Sequence, residues 1–116
     1  MNVSRRVLLG TAAAASVPLA RARGNQPTIK IGVLTDMSGP YKEFHGPTAV
    51  VCAQQAIADF GSSGRQFGAE IIVGDHQNKP DIGAGIAREW FDRDGVDMIV
   101  GVPHSGVALA VQSAAG

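Results

Sequence analysis

Residues 97–109 read DMIVGVPHSGVAL, and this stretch decides the fold. Its short apolar run ends at a Gly/Pro break, which is typical of a buried parallel strand over residues 97–101. His104, Ser105 and Gly106 then stand where a helix would begin, and we predict that helix over residues 105–115. Ligands of open α/β sheets bind outside the carboxyl ends of the strands, so this loop is the first candidate for a binding site.

Two similar units precede this stretch. Residues 29–35 (IKIGVLT) and 69–74 (AEIIVG) are predicted strands, and each is followed by a loop and an apolar-periodic helix. The first helix is predicted over residues 47–60 with Gly61 as its stop, and the second from an N-cap at Asp81 to residue 94 with Gly95 as its stop. Three such units predict an α/β fold with a parallel sheet in the order β-α-β-α-β-α. Since a three-stranded sheet buries little surface, we expect a fragment of a larger protein.

Length and composition limit the possible functions. The 116 residues are enough for one domain, and 45% hydrophobic with 17% charged residues is ordinary for a globular protein. From residue 24 onward six Lys and Arg face ten Asp and Glu, which is a net charge of −4. This acidic body argues against a nucleic-acid partner, because it would repel phosphates. Cys52 lies inside an apolar helical pattern, so we predict a buried structural thiol.

The N-terminus has the ordered features of an export signal. Arg5 and Arg6 precede an apolar stretch over residues 7–20, and Ala20-Arg21-Ala22 fits a small-x-small cleavage pattern. The arginine pair and the weakly hydrophobic middle favour the twin-arginine route, and the stretch is too short for a stable membrane span. We therefore expect residues 1–22 to be an export signal and residues 23–116 to be a periplasmic domain without a membrane span. A frayed helix with a chance arginine pair is the alternative.

No catalytic, nucleotide or metal motif is found in the sequence. Gly83-Ala84-Gly85 lies inside a predicted helix and not between a strand and a helix, so we interpret it as a site of close helix packing. His45, His76 and His104 fall in separate loops without ligand spacing, which predicts isolated polar histidines and no metal. We interpret Asp75 as a cap of the following helix. The sequence therefore predicts no enzyme and no cofactor.

Three loops at carboxyl ends of strands remain as candidates, over residues 36–46, 75–80 and 102–106. The third is chemically the most specific. Ser105 offers a hydroxyl and Gly106 an unhindered backbone N–H at the positive end of a helix, an arrangement suited to a carboxylate. A helix N-cap without a ligand fits the same pattern, and the pattern alone leaves both interpretations open.

Three ordered motifs resemble a known family. Residues 29–41 (IKIGVLTDMSGPY), Gly74-Asp75 with Pro80 five residues on, and residues 97–106 (DMIVGVPHSG) resemble leucine/isoleucine/valine-binding-type extracellular solute-binding proteins of ABC transporters. These type I periplasmic binding proteins have two Rossmann-like lobes that close on a small ligand. The resemblance covers the whole chain after the export segment. It implies that the chain is the first part of lobe 1.

The resemblance also implies a function and a site. Ser105 corresponds to the family serine that binds the ligand carboxylate. The implied cleft residues beside it are Gly106, His104, Ser38, Gly39, Tyr41 and Phe44. The implied function is import of a small carboxylate, either a branched-chain amino acid or an aromatic acid, through a membrane permease.

The resemblance determines less closely which carboxylate is bound and which functional class the protein belongs to. His104 and Gly106 depart from the small or hydroxyl residues of typical branched-chain amino-acid binders. The segments DMSGPY, DHQNKPD and VP-x-S-x-VALAV are similar to a branch that takes aromatic carboxylates. A ligand-sensing lobe of a receptor or regulator is an alternative function with the same fold, and a small flavodoxin-like enzyme is a third.

Overall fold

The chain folds as three β-α units. The computed structural model describes residues 27–62, 64 and 66–116, so the predicted export segment lies outside the described residues. The elements are β1 (Thr28–Thr35), α1 (Lys42–Ser62), β2 (Gly68–Asp75), α2 (Pro80–Glu89), a π-helical turn (Trp90–Asp94), β3 (Met98–Val100) and α3 (Ser105–Ala115). The strands pair in parallel in the order β2-β1-β3. The predicted α/β fold with a parallel sheet is confirmed.

β1 is the central strand of the sheet. It pairs with β2 from Thr28 to Thr35, and its middle residues pair with β3. Burial increases toward its carboxyl end, where Val33 is 1% exposed and Leu34 and Thr35 are fully buried. Apolar residues on both faces of a strand are expected where helices cover both sides of a parallel sheet. The carboxyl ends of the strands therefore meet at the better-buried edge of the sheet.

Trp90 occupies the centre of the main core. It is 6% exposed, and its buried neighbours in this cluster are Leu34, Ala87, Val96, Val107 and Val111. Two strand glycines make room for the indole. A Cβ at Gly32 would overlap the ring, and a Cβ at Gly74 would lie 2.8 Å from its Cζ2 atom. Glycine inside a strand often marks such a close approach.

The first helix begins earlier and ends later than the sequence predicts. α1 starts at Lys42, five residues before the predicted first residue Pro47, and it continues past Gly61 to Ser62. The backbone carbonyl of Tyr41 accepts hydrogen bonds from the amides of Phe44 and His45 and so begins the helix. Pro47 is the sixth residue of this 21-residue helix, where it cannot donate to the carbonyl four residues earlier and its ring crowds that carbonyl. Pro47 therefore lies in the second turn of α1 and is not its first residue.

The second helix also differs at its beginning. Lys79 is the N-cap of α2 and makes no side-chain cap bond, while Pro80 takes the first helical position, so the prediction of Asp81 as N-cap is wrong. Asp81 lies in the first turn instead, where its charge favours the positive end of the helix dipole. The chain continues through the π-helical turn to Gly95, which has the left-handed φ of 67° expected of a terminating glycine.

Cys52 is exposed, and the prediction of a buried thiol is wrong. The half-buried residues Ala49, Ala53, Ile57 and Phe60 define one face of α1, and Cys52 lies beside that face. Apolar residues on the outer side of α1 made the periodic pattern look wider than the face it buries.

Among the described helices, none combines the length and apolar character needed to cross a bilayer.

Candidate functional site

Three loops leave the carboxyl edge of the sheet. We call residues 36–41 the first loop, residues 76–79 the second loop and residues 101–104 the third loop; they follow β1, β2 and β3. Their place at the strand ends agrees with the prediction. The first loop is shorter than predicted, because residues 42–46 belong to α1. His45 therefore lies in a helix and not in a loop.

Asp36 shapes the first loop from inside. It is fully buried, and its carboxylate accepts hydrogen bonds from the amides of Gly39 and Tyr41, the latter at 2.9 Å. A Cβ at Gly39 would lie 2.6 Å from Oδ2 of Asp36, so only glycine fits against this carboxylate. The backbone around Ser38, Gly39 and Tyr41 is thus held in one arrangement.

Asp75 joins the first loop to the second. Its Oδ1 accepts the amides of Met37 at 3.0 Å and Gln77 at 2.9 Å, and its Oδ2 accepts the Ser38 hydroxyl at 2.6 Å. Burial alone would raise the pKa of Asp75, but these hydrogen bonds, led by the one from Ser38, outweigh it and hold the pKa below its ordinary value. The interpretation of Asp75 as a cap of α2 is wrong, because it binds the two loops to each other.

His76 is a buried member of the second loop and not the isolated polar loop residue that the sequence predicts. It is fully buried, and its Nδ1 accepts the Asn78 amide at 3.0 Å. Its Nε2 has no partner within the described residues. Burial lowers the pKa of His76, the carboxylates of Asp36 and Asp75 oppose this effect, and the neighbouring His104 contributes a smaller lowering. A neutral imidazole therefore belongs to the folded state, since an imidazolium cannot accept the Asn78 amide.

Acidification is expected to destabilise the chain. The unfolded histidine binds a proton near about pH 6.5, whereas the lowered pKa of His76 keeps the folded form neutral to a lower pH. Below about pH 6.5 the unfolded state therefore binds more protons, and the free energy of unfolding falls. The lowered pKa of Asp75 acts in the same direction at more acidic pH, around and below its ordinary value.

Urea denaturation of the 116-residue chain at neutral pH and at about pH 5.5 measures this effect. A lower urea midpoint at the acidic pH is expected. Replacing the exposed His45 by glutamine leaves His76 in place and should preserve the difference. An equal or higher midpoint at acidic pH would contradict the assignment of His76 as a buried neutral group.

The residues of the predicted anion site lie in the third loop and at the start of α3. α3 begins at Ser105 as predicted, and His104 is its N-cap. The Nδ1 atom of His104 accepts the Val107 amide at 3.1 Å. Ser105 is exposed, and neither its hydroxyl nor the Gly106 amide has a hydrogen-bond acceptor among the residues with described positions. A hydroxyl and an amide at the positive end of the helix are thus available to an anion.

The other residues of the predicted site do not all lie in contact with one another. The ring of Tyr41 lies 6.1 Å from the ring of His104, centroid to centroid, so the first and third loops meet there. Ser38 donates its hydroxyl to Asp75 and is a link between loops. Phe44 is 76% exposed on the first turn of α1. Contacts thus bring Tyr41 and His104 together, whereas Phe44 stands apart from this contact.

Two sequence patterns, the separate histidines and Gly83-Ala84-Gly85, can be compared with the described part of the structure. No group of three or more His, Cys, Asp or Glu side chains that could hold a metal ion is present in these ranges. Gly83 lies in α2, where a Cβ would come within 2.5 Å of Cγ1 of Val107. The interpretation of Gly83-Ala84-Gly85 as a helix-packing motif is confirmed at Gly83.

Solved structures with this fold are similar to the chain in sequence. A family model described as periplasmic binding protein matches residues 28–116. A periplasmic binding protein from Burkholderia mallei is 43% identical, with a TM-score of 0.70 over 76% of this chain and 24% of that one. A branched chain amino acid ABC transporter periplasmic ligand-binding protein from Burkholderia xenovorans LB400 is 45% identical, with a TM-score of 0.67 over 73% of this chain and 23% of that one.

A third structure extends the range of ligands. A solute binding protein of an ABC transporter from Rhodopseudomonas palustris BisB5, in complex with 3,4-dihydroxy benzoic acid, is 26% identical, with a TM-score of 0.67 over 76% of this chain and 24% of that one. The chain thus spans about a quarter of the length of these proteins. No match is found among curated proteins. Because the family model covers residues 28–116, the chain belongs to the periplasmic binding protein family.

Proposed function

We propose that this chain forms part of the ligand-binding lobe of an ABC transporter solute-binding protein. It takes a small carboxylate-bearing solute, a branched-chain amino acid or an aromatic acid, and delivers it to a membrane permease. The observation that carries this proposal is the start of α3, where the Ser105 hydroxyl and the Gly106 amide are unbonded within the described residues. These donors stand beside loops that Asp36 and Asp75 hold in place.

The comparisons support transport over sensing or catalysis. The Burkholderia xenovorans protein is described as part of an amino acid ABC transporter, and the Rhodopseudomonas palustris protein is a solute binding protein with an aromatic acid bound. Both ligand classes carry a carboxylate, which fits the donors at α3. The receptor or regulator alternative is not favoured by these relatives. A role as a binding protein, without catalysis, agrees with the same set.

Location follows from the family and from the sequence. Periplasmic binding proteins act outside the cytoplasmic membrane, and residues 1–22 supply the features of an export signal. We therefore place the working protein in the periplasm. The twin-arginine route is part of the proposal and rests on Arg5 and Arg6.

Replacing Ser105 by alanine is expected to weaken binding of a carboxylate by roughly 1–3 kcal/mol, because a charged acceptor in a closed cleft loses a donor. The experiment needs both lobes, so residues 28–116 replace the matched segment of the Burkholderia xenovorans protein. We call this protein the chimera. Calorimetric titration with leucine and with benzoate measures the dissociation constants of the chimera and of its Ser105→Ala variant.

The matched control is Ser113→Ala on the same helix. Ser113 is exposed and donates its hydroxyl to the carbonyl of Leu109. It is the same residue type as Ser105 but lies about two helical turns further along α3. This variant should bind as the chimera does. Equal affinities for the Ser105→Ala variant and the chimera would refute Ser105 as the carboxylate anchor.

A further inference from the structure

Gly83 lies on the face of α2 that packs against α3. It is buried, and a Cβ at this position would come within 2.5 Å of Cγ1 of Val107. Real Cβ atoms essentially never approach another atom so closely, so a larger residue would force a shift. The two helices therefore reach their observed separation at this point only with glycine.

Val107 has little freedom to move aside. Its side chain is fully buried and belongs to the core cluster around Trp90. Valine is branched at Cβ and takes one strongly preferred rotamer in a helix. A methyl group at position 83 would therefore displace the backbone of α3 at Val107 and not only a side-chain atom.

The other sides of Gly83 are also occupied. A Cβ there would lie 3.5 Å from Cβ of His76 and 3.6 Å from Cγ2 of Val111, which are ordinary packing distances. His76 is fully buried, and its Nδ1 is fixed by the Asn78 amide. An added methyl group would thus be enclosed by three buried side chains, and the contact that must change is the one with Val107.

Val107 lies in the first turn of α3, two residues after Ser105. Its amide donates to Nδ1 of His104 at 3.1 Å, which is the hydrogen bond that caps this helix. A displacement of Val107 therefore also moves the Ser105 hydroxyl and the Gly106 amide. Because a binding site needs its donors held to within about 0.5 Å, a shift of this kind weakens binding.

We infer that Gly83 is a positioning residue of the carboxylate site, which acts through Val107 on the donors at the start of α3. The inference rests on the proposed function, because it takes the carboxylate at Ser105 and Gly106 as given. Gly83 itself is buried between α2, α3 and the second loop. Its effect on the solute is therefore transmitted through α3.

Calorimetric titration of the chimera and its variants with benzoate and with leucine tests the inference. Gly83→Ala should raise the dissociation constant of each acid that the chimera binds by at least about tenfold, within the range of coupling between contacting residues. Gly85→Ala is the matched control on the same helix, because a Cβ there would meet no atom within 4 Å among the residues that the structure describes. This control should bind within about twofold of the chimera.

A compensating substitution separates positioning from simple loss of stability. In the double variant Gly83→Ala, Val107→Ala the overlapping Cγ1 atom is removed and one methyl group is added beside it, so α3 can keep its position. The double variant should bind at least about fivefold more tightly than Gly83→Ala. Unfolded protein lowers the stoichiometry of the titration, whereas a displaced site raises the dissociation constant.

The outcomes separate this inference from the proposed function. An unchanged dissociation constant in Gly83→Ala, with or without a lower stoichiometry, overturns the inference and leaves the proposed function standing. A double variant that binds no more tightly than Gly83→Ala, or a Gly85→Ala control that is equally weak, does the same. A folded chimera that binds neither benzoate nor leucine overturns both.

A second measurement uses the 116-residue chain itself and does not depend on folding of the chimera. In a nitrogen–proton correlation spectrum, Gly83→Ala should move the amide resonances of Ser105, Gly106 and Val107. Gly85→Ala should leave these resonances in place. Unmoved resonances in Gly83→Ala would overturn the inference, and so would loss of the folded spectrum in both Gly83→Ala and the double variant.

Discussion

Replacing Trp90 by alanine is expected to lower the free energy of unfolding by about 3–5 kcal/mol, the range for truncating a buried aromatic side chain. The indole is 6% exposed at the centre of the core. Its nearest neighbours include the backbone at Gly32 and Gly74 on two paired strands. Paired strands cannot collapse easily into the space, so most of the cavity would persist.

Urea denaturation of the 116-residue chain, followed by far-ultraviolet circular dichroism, measures this loss without relying on tryptophan fluorescence. Phe44→Ala is the matched control, because this aromatic side chain is 76% exposed. Its removal should change stability by no more than about 0.5 kcal/mol. Similar losses for Trp90→Ala and Phe44→Ala would contradict the central position of Trp90.

Replacing Asp75 by alanine is expected to lower the free energy of unfolding by about 2–3 kcal/mol. The carboxylate accepts hydrogen bonds from Met37, Ser38 and Gln77, and two of these donors belong to the first loop. Part of each bond is exposed to water, so the total is smaller than three buried charged bonds would give. The main structural consequence is separation of the first and second loops.

Two further variants test whether the loss of stability is specific to the Asp75 carboxylate. Asp92→Ala removes an exposed carboxylate from the π-helical turn and should have little effect. Asp75→Asn keeps the shape and one good acceptor, so it should lose less stability than Asp75→Ala. Equal stability of Asp75→Ala and Asp92→Ala in urea would contradict the role of Asp75 as a link between the two loops.

The order of elements follows from the sequence because the strands are short apolar runs between turn residues. The run at residues 29–35 corresponds to β1, and α3 begins at Ser105, where the pattern predicts a helix start. Element boundaries are less predictable because they depend on contacts distant in sequence. The start of α1 is an example, since Gly46 packs against the backbone carbonyl of Asp36, where a Cβ would lie only 2.8 Å away.

Within the candidate site, the sequence predicts the local structure of a residue only where its neighbours in the chain carry the signal. The sequence around Ser105 and Gly106 predicts a helix start with available donors, and α3 begins at Ser105. The roles of Asp36, Asp75 and His76 depend on partners in other loops, which local patterns do not contain. One local signal exists for Asp36, because Asp followed three residues later by Gly is typical of a turn closed by the Asp side chain. His76 gives no such signal, since its loop is polar in sequence and buried in the fold.

We propose that Ser105 at the start of α3 binds the carboxylate of the solute. The most direct test is calorimetric titration of the chimera and its Ser105→Ala variant with benzoate and with the neutral isostere benzamide. We predict that Ser105→Ala weakens benzoate binding by roughly 1–3 kcal/mol and leaves the weak binding of benzamide nearly unchanged. Equal effects of the substitution on the two ligands, or no effect on either, would contradict the claim.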